Sequence, residues 1–246
     1  MTLGPMVRNG NAVFASTHWS VVLEASQQDS RHALEAMTQL CETYWYPLYA
    51  YVRRKGYTPH DAQDLTQKFF ARLLAGNILG GLNRQKGKFR SFLLGALEHF
   101  LAREWRYAHA QKRGGGNTLF SLDAVDAEER YLLEPAHDLS PEKIFDWRWA
   151  NTLLEKAMAR LRQESQAQGK APLFEKAECL LSGGNTAESY AETAASLGMS
   201  ETAFKMAVHR LRRRYGELVR AEIAQTVSTP EAAEQELQYL FSVLRQ

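Results

Sequence analysis

Cysteine is scarce in this 246-residue chain: the two present, Cys41 and Cys179, lie far apart and belong to no C-x-x-C pair. That count argues against a disulfide framework and against a zinc finger. Long apolar runs are missing too, the longest being short pieces such as "FLLGAL" at 92–97, so no segment is expected to cross a bilayer. The start, "MTLGPMVRNGNAVFASTHWS", lacks the charged head and apolar core of a signal peptide. A reduced, soluble, cytoplasmic protein without membrane insertion is the expectation. There is almost no charge imbalance, with 30 Lys and Arg against 28 Asp and Glu, so any affinity for nucleic acid must come from how the charge is distributed. Enzyme signatures are missing as well. Neither H-E-x-x-H nor G-x-S-x-G occurs, and the seven histidines are scattered rather than clustered. "GGLNRQKGKF" resembles a phosphate loop, but Gly81 to Gly87 is one residue too long and Phe89 stands where Ser or Thr is needed. No catalytic residue, metal site or cofactor is expected.

What is present is helix. In 31–57, Leu34, Met37, Cys41, Tyr44, Leu48, Tyr51 and Val52 recur at helical spacing, and Pro47 should bend or interrupt the helix because it has no N–H. Gly56, after the basic run Arg53-Arg54-Lys55, marks its stop. Thr58 and Pro59 then read as cap and first turn of a second helix, with Asp61 and Asp64 near its positive end and Leu65, Phe69 and Leu73 as its apolar stripe. "FRSFLLGALEHFLAREWRYAHAQKR" begins apolar and turns basic and aromatic. Beyond the glycines at 114–116, seven acids face one base between Asn117 and Glu142, the composition of a linker. Such an acidic stretch is suited to restraining the basic flanks on either side. Order resumes at Ser140-Pro141, and a last helix is expected from Thr229-Pro230 to about Leu244. The chain is therefore read as all-α, with two small helical domains. Residues 14–113 form the first, 114–139 a flexible acidic linker, 140–227 the second and 228–246 a carboxyl-terminal helical extension.

Two stretches carry chemistry. In "SYAETAASLGMSETAFKMAVHRLRRRY", Ser189 and Glu192 have capping-box spacing, Gly198 suits a tight turn and Ser200 caps the next helix. That is the layout of a helix-turn-helix. With Phe204, Ala207, Val208, Leu211 and Tyr215 facing inward, the outward face near the helix start carries Thr202, Lys205, Met206, His209 and Arg213, with Arg210 and Arg212 on its edges. A helix in the major groove uses such side chains on bases and phosphates. A solvated basic helix or a membrane-surface helix would share the charge; the capped helix and turn in front favour DNA. In the second stretch, Arg103, Arg106, Lys112 and Arg113 are interleaved with Trp105 and Tyr107, which suits cations on phosphate beside rings that stack on unpaired bases. Phe92, Leu93, Leu97 and Phe100 read as core.

In this order, "DAQDLTQKFFARLL", the aromatic-basic helix and the carboxyl-terminal helix-turn-helix resemble a bacterial RNA polymerase sigma factor of the extracytoplasmic-function type, over roughly residues 30–113 and 147–220. The resemblance implies two domains like sigma regions two and four. Asp61, Asp64, Gln67 and Phe70 would bind core RNA polymerase. Arg103, Trp105, Arg106, Tyr107, Lys112 and Arg113 would recognise and melt the minus-ten element of promoter DNA. Thr202, Lys205, His209, Arg210, Arg212 and Arg213 would read the minus-thirty-five element. It leaves open an anti-sigma protein as a further partner. The sequence departs from the family at Lys68, His99, Arg103 and Thr193, which bears on promoter sequence and melting. The alternatives are a helix-turn-helix regulator that is not a polymerase subunit and a nucleic-acid-processing enzyme.

Overall fold

The computed structural model describes residues 30–75, 88–110, 124–132, 140–181, 189–227 and 229–245. Among them it has nine helices and no strand, so the fold is all-α. They are α1 (Ser30–Arg54), α2 (Pro59–Leu74), α3 (Phe89–Ala110), α4 (Ala124–Leu132), α5 (Pro141–Ala167), α6 (Ala171–Leu181), α7 (Tyr190–Ser196), α8 (Glu201–Gln225) and α9 (Pro230–Leu244).

Local chemistry sets the helix ends. Thr58, Ser140 and Thr229 each accept a backbone N–H from three residues on, and each is followed by a proline at the first turn, where no donor is needed. Gly56 has φ 94°, a conformation that costs a side chain strain. Pro47 does not end α1, which runs through it to Arg54.

Helices from both sides of the acidic stretch share one core. Tyr44, Leu48 and Val52 of α1, Phe69 and Leu73 of α2, and Phe89, Leu93 and Leu97 of α3 belong to the same buried cluster as Phe145, Trp149 and Leu153 of α5. Leu218 and Ile223 of α8 and Leu237 and Leu240 of α9 join it. Burying each such side chain contributes about 1.5–3 kcal/mol, which favours closing α1 onto α5 over leaving either face wet. The acidic stretch expected as flexible linker contains α4, which lies on this core through the buried Ala127. Glu128 of α4 accepts both forks of the Arg53 guanidinium, at 2.8 and 2.9 Å, and the Tyr49 hydroxyl at 2.5 Å. The Arg53 hydrogen bonds, which outweigh the opposing burial, hold the Glu128 carboxyl below the usual carboxylate range. The acidic stretch thus meets the basic end of α1, and the rest of it, 114–123 and 133–139, lies outside the described residues.

The carboxyl-terminal helix α9 is integral to the core. Its Glu236 is fully buried and pairs with Arg90 at the start of α3 and, at 2.6 Å, with Lys88. Arg90 also reaches Asp146 of α5 at 2.5 Å, and Tyr239 of α9 donates its hydroxyl to Asp146 at 2.6 Å. Burial opposes the Arg90 charge, but the Glu236 hydrogen bond and the two carboxylates more than offset it, so its pKa is raised. Burial and then the Asp146 bond push the Tyr239 hydroxyl up to about 12.

Candidate nucleic-acid interface

A second, smaller cluster stands apart from the main core at the far end of α8. Ala177 and Leu180 of α6, Ala194 of α7, and Phe204 and Val208 of α8 form it, with Tyr190, Leu197, Met199 and Leu211 packed around. The sequence dictates this shape locally. The Glu192 N–H donates to the Ser189 hydroxyl at 3.2 Å and the Ser189 N–H to the Glu192 carboxylate at 2.8 Å, a closed capping box. At the other end of α7, Met199 N–H reaches the Ala194 carbonyl and Gly198 N–H the Ala195 carbonyl, both at 3.0 Å. That Schellman arrangement needs a left-handed residue, and Gly198 supplies it with φ 65°. Ser200 then caps α8 by accepting the Ala203 N–H. The rings of Tyr190 and Phe204 meet edge to face at 5.6 Å, setting α7 across α8.

The opposite face of α8 is open. Thr202, Lys205, His209, Arg210, Arg212 and Arg213 are all exposed, as is Met206, a large apolar side chain left 53 % exposed among them. The expected site did not include Met206, although its place on the outward face was readable. Lys205 lies 2.6 Å from Glu201 and Arg213 3.2 Å from Glu217, both one helical turn away. Both pairs are exposed and screened by solvent, so a phosphate or base edge competes with them easily. One of the arginines is partly committed elsewhere. Arg212 donates to the Leu180 carbonyl at 3.1 Å, satisfying the end of α6. Arg210 borders a cleft of about 270 Å³ against α5, where Arg214 forks onto Glu164 with two bonds of 2.8 Å.

The carboxyl-terminal half of α3 forms a second open surface. Trp105 is 55 % and Tyr107 51 % exposed, and Arg103 and Arg106 of the same helix end are exposed as well. The Arg103 guanidinium sits 5.6 Å from the Tyr107 ring centre, and its hydrogen bond and charge hold the Tyr107 hydroxyl below its ordinary value. Arg106 donates to the Ala102 carbonyl of the preceding turn. Lys112 and Arg113 lie outside the described residues. Phe92, expected as core with Leu93, Leu97 and Phe100, is only half-buried and borders an open groove of about 840 Å³. Phe100, His99 and Arg103 of α3 and Arg72 of α2 line the same groove. Sequence reasoning missed Arg72, because only the fold brings α2 against α3; it pairs with Glu104 at 2.8 Å and lies 5.0 Å from the Phe100 ring centre.

On α2 the expected partner-binding residues divide. Asp61 is exposed and accepts the Thr58 hydroxyl at 2.7 Å, whereas Asp64 is half-buried and paired with Lys68 at 3.0 Å. Gln67 is half-buried. Phe70 must be corrected. It is 5 % exposed and packs edge-on against Phe69, because α2 is apolar over Phe69, Phe70 and Leu73 and turns the whole of that arc inward. A partner docking on the surface of this fold does not touch it.

Among the described residues no helix is long and apolar enough to cross a membrane, and no three His, Cys, Asp or Glu side chains converge on a possible metal position. No protein-family model matches the chain, and no curated protein or solved structure is significantly similar to it.

Proposed function

We propose that the chain is a transcription-initiation factor of the sigma type, which binds core RNA polymerase, directs it to promoters and helps open them. The observation that carries this is the coexistence, in one chain, of two differently built exposed basic surfaces. One is a turn-linked helix pair presenting Thr202, Lys205, His209 and Arg213; the other is a helix end where Trp105 and Tyr107 stand exposed beside arginines. The first suits a duplex. The start of α8 fits the major groove, Lys205 and Arg213 reach guanine edges or phosphates, and Arg210 supports the backbone from the side. The second suits unpaired bases. Stacking on an exposed aromatic ring stabilises a base by about 1–3 kcal/mol, enough to offset the few kcal/mol lost on unstacking it from the duplex. Work of this kind is binding and local melting, with no covalent step. Asp61, Asp64 and Gln67 on α2 are the proposed contacts to polymerase; minus-ten and minus-thirty-five promoter elements are the proposed DNA partners, and an anti-sigma protein a further possible partner.

A helix-turn-helix regulator would share α7 and α8 but has no use for the surface on α3. Run-off transcription by core polymerase from genomic promoter fragments separates the two. A defined start that requires this chain supports the proposal. DNA binding without any effect on start selection supports the regulator.

A further inference from the structure

Glycine weakens the interior of a helix, yet α8, a run of 25 residues, carries Gly216 well inside it. The backbone there is ordinary helix, so no turn calls for a glycine. Gly216 stands in the row Arg212–Gly216–Arg220, one turn from each neighbour, and its missing side chain leaves bare floor between two guanidinium groups. That floor belongs to a cleft of about 390 Å³ where α5, α6, α8 and α9 meet. Leu154 of α5, Leu181 of α6, Val219 of α8, and Leu237 and Phe241 of α9 give it apolar walls, and Phe241 is left 50 % exposed. The cations beside it keep spare donors. Arg212 bonds to the Leu180 carbonyl and Arg220 to the Gly216 carbonyl at 3.3 Å. Among the described residues neither meets a carboxylate, whereas Arg213 and Arg214 of the same helix both hold Glu217.

We infer that this cleft binds a free amphipathic carboxylate, a small molecule with an apolar chain and one terminal carboxylate group. Its volume is that of a small-molecule site and holds about a dozen heavy atoms at roughly 30 Å³ each, the share of one water in the liquid. The chain of such a ligand lies against Leu237 and Phe241, which removes apolar surface from water on both partners. A guanidinium grips a carboxylate through two parallel N–H bonds, a match that its planar fork provides. Arg220 is placed for this, since its Nη1 lies 3.4 Å from where a Cβ on Gly216 would stand and so leans over the bare floor. A cleft walled by four helices admits a single chain and not the flat face of a bilayer. Two of its walls come from α9, which thereby acquires a role beyond carrying Glu236 to the core. The site requires nothing of the promoter reading above.

Decanoate is the probe, titrated calorimetrically into the full chain below its micelle-forming concentration. One molecule should bind per chain, and 1-decanol, the same body without the charge, should bind about tenfold more weakly. Arg220→Gln should weaken decanoate about tenfold and leave decanol within about threefold of wild type. Gly216→Leu, which fills the floor, should remove binding of both, while Gly216→Ala, whose Cβ makes only ordinary contact with Arg220, should bind decanoate within about threefold of wild type. Phe241→Ala, at an exposed position, should weaken decanoate and decanol alike, and so tests the apolar wall even if Gly216→Leu does not fold. Circular dichroism melting checks that each variant is folded. No saturable binding of decanoate to wild type overturns the inference. So does equal affinity in Arg220→Gln, or undiminished binding in a folded Gly216→Leu. Vesicles of phosphatidylglycerol should leave the chain in the supernatant on sedimentation. Vesicle binding that Arg220→Gln abolishes would assign the cleft to a lipid surface and overturn the free ligand.

Discussion

Replacing Glu236 with alanine should be among the most destabilising changes in the molecule. The side chain is fully buried, and its carboxylate neutralises Arg90, itself 7 % exposed, together with Lys88. Breaking a buried ion pair by removing one partner costs about 3–5 kcal/mol, because the other charge is left without solvent or counter-charge. Arg90 keeps its bond to Asp146, which places the loss near the lower end, about 3 kcal/mol. With a urea slope of about 3 kcal/mol/M for a chain of this size, the midpoint should fall by about 1 M, followed by circular dichroism. Glu236→Gln, which retains a hydrogen-bonding oxygen, should lose about 1–2 kcal/mol. The double variant Arg90→Met with Glu236→Leu should be more stable than the two single losses added together, since neither of this pair is left facing an empty partner, even though Asp146 and Lys88 each lose one contact. A Glu236→Ala midpoint within about 0.2 M of wild type at an unchanged slope would refute this account of the buried ion pair.

Gly198→Ala should cost about 1 kcal/mol of thermal stability from backbone strain alone, because φ is +65° and a Cβ there meets open space; Gly198→Asn should cost less, and a larger asparagine loss would argue against strain as the cause. Arg212→Ala should lower stability by about 1 kcal/mol through the lost Leu180 contact. Lys205→Ala and Arg213→Ala should each leave stability unchanged but weaken promoter binding by about 1–3 kcal/mol if they touch bases, measured by fluorescence anisotropy at fixed salt. The Glu128 carboxyl is held below its unfolded value, so its pairing with Arg53 contributes fully above about pH 4.3 and is lost as pH falls through the lower folded value. Glu128→Gln should therefore destabilise by about 1 kcal/mol at pH 7, and its difference from wild type should shrink as the pH falls through the lowered folded value. Burial and the neighbouring Glu42 push the Cys41 thiol up to about 11, so at pH 8 a thiol reagent should modify the exposed Cys179 quickly and Cys41 only on unfolding.

The helix ends were readable because their causes span three or four residues. Ser189 with Glu192, Gly198, Ser200, Thr58-Pro59 and Thr229-Pro230 each act on their own turn. The inward arc of α8 was readable for the same reason, as Phe204 and Val208 share a face by helical periodicity alone. What escaped the sequence is non-local. Arg90 and Glu236 are 146 positions apart, and neither has a neighbour that hints at the other. Phe70 was misplaced because Phe69, Phe70 and Leu73 all turn inward, a wider arc than the stripe of Leu65, Phe69 and Leu73 read from spacing. The acidic stretch was read by composition as linker, whereas Ala127 and Glu128 bring α4 to the core through one buried methyl and one ion pair. The tie from Arg212 to the Leu180 carbonyl was likewise not readable, since it depends on where α6 ends.

The proposal that the chain directs polymerase to open promoters is tested most directly by permanganate reactivity of thymines on a promoter fragment. Core polymerase and the chain together should expose a short cluster of unpaired thymines upstream of the start, neither component alone should do so, and Trp105→Ala should reduce the signal. Duplex that stays unreactive with both present, or opens with polymerase alone, would contradict the account.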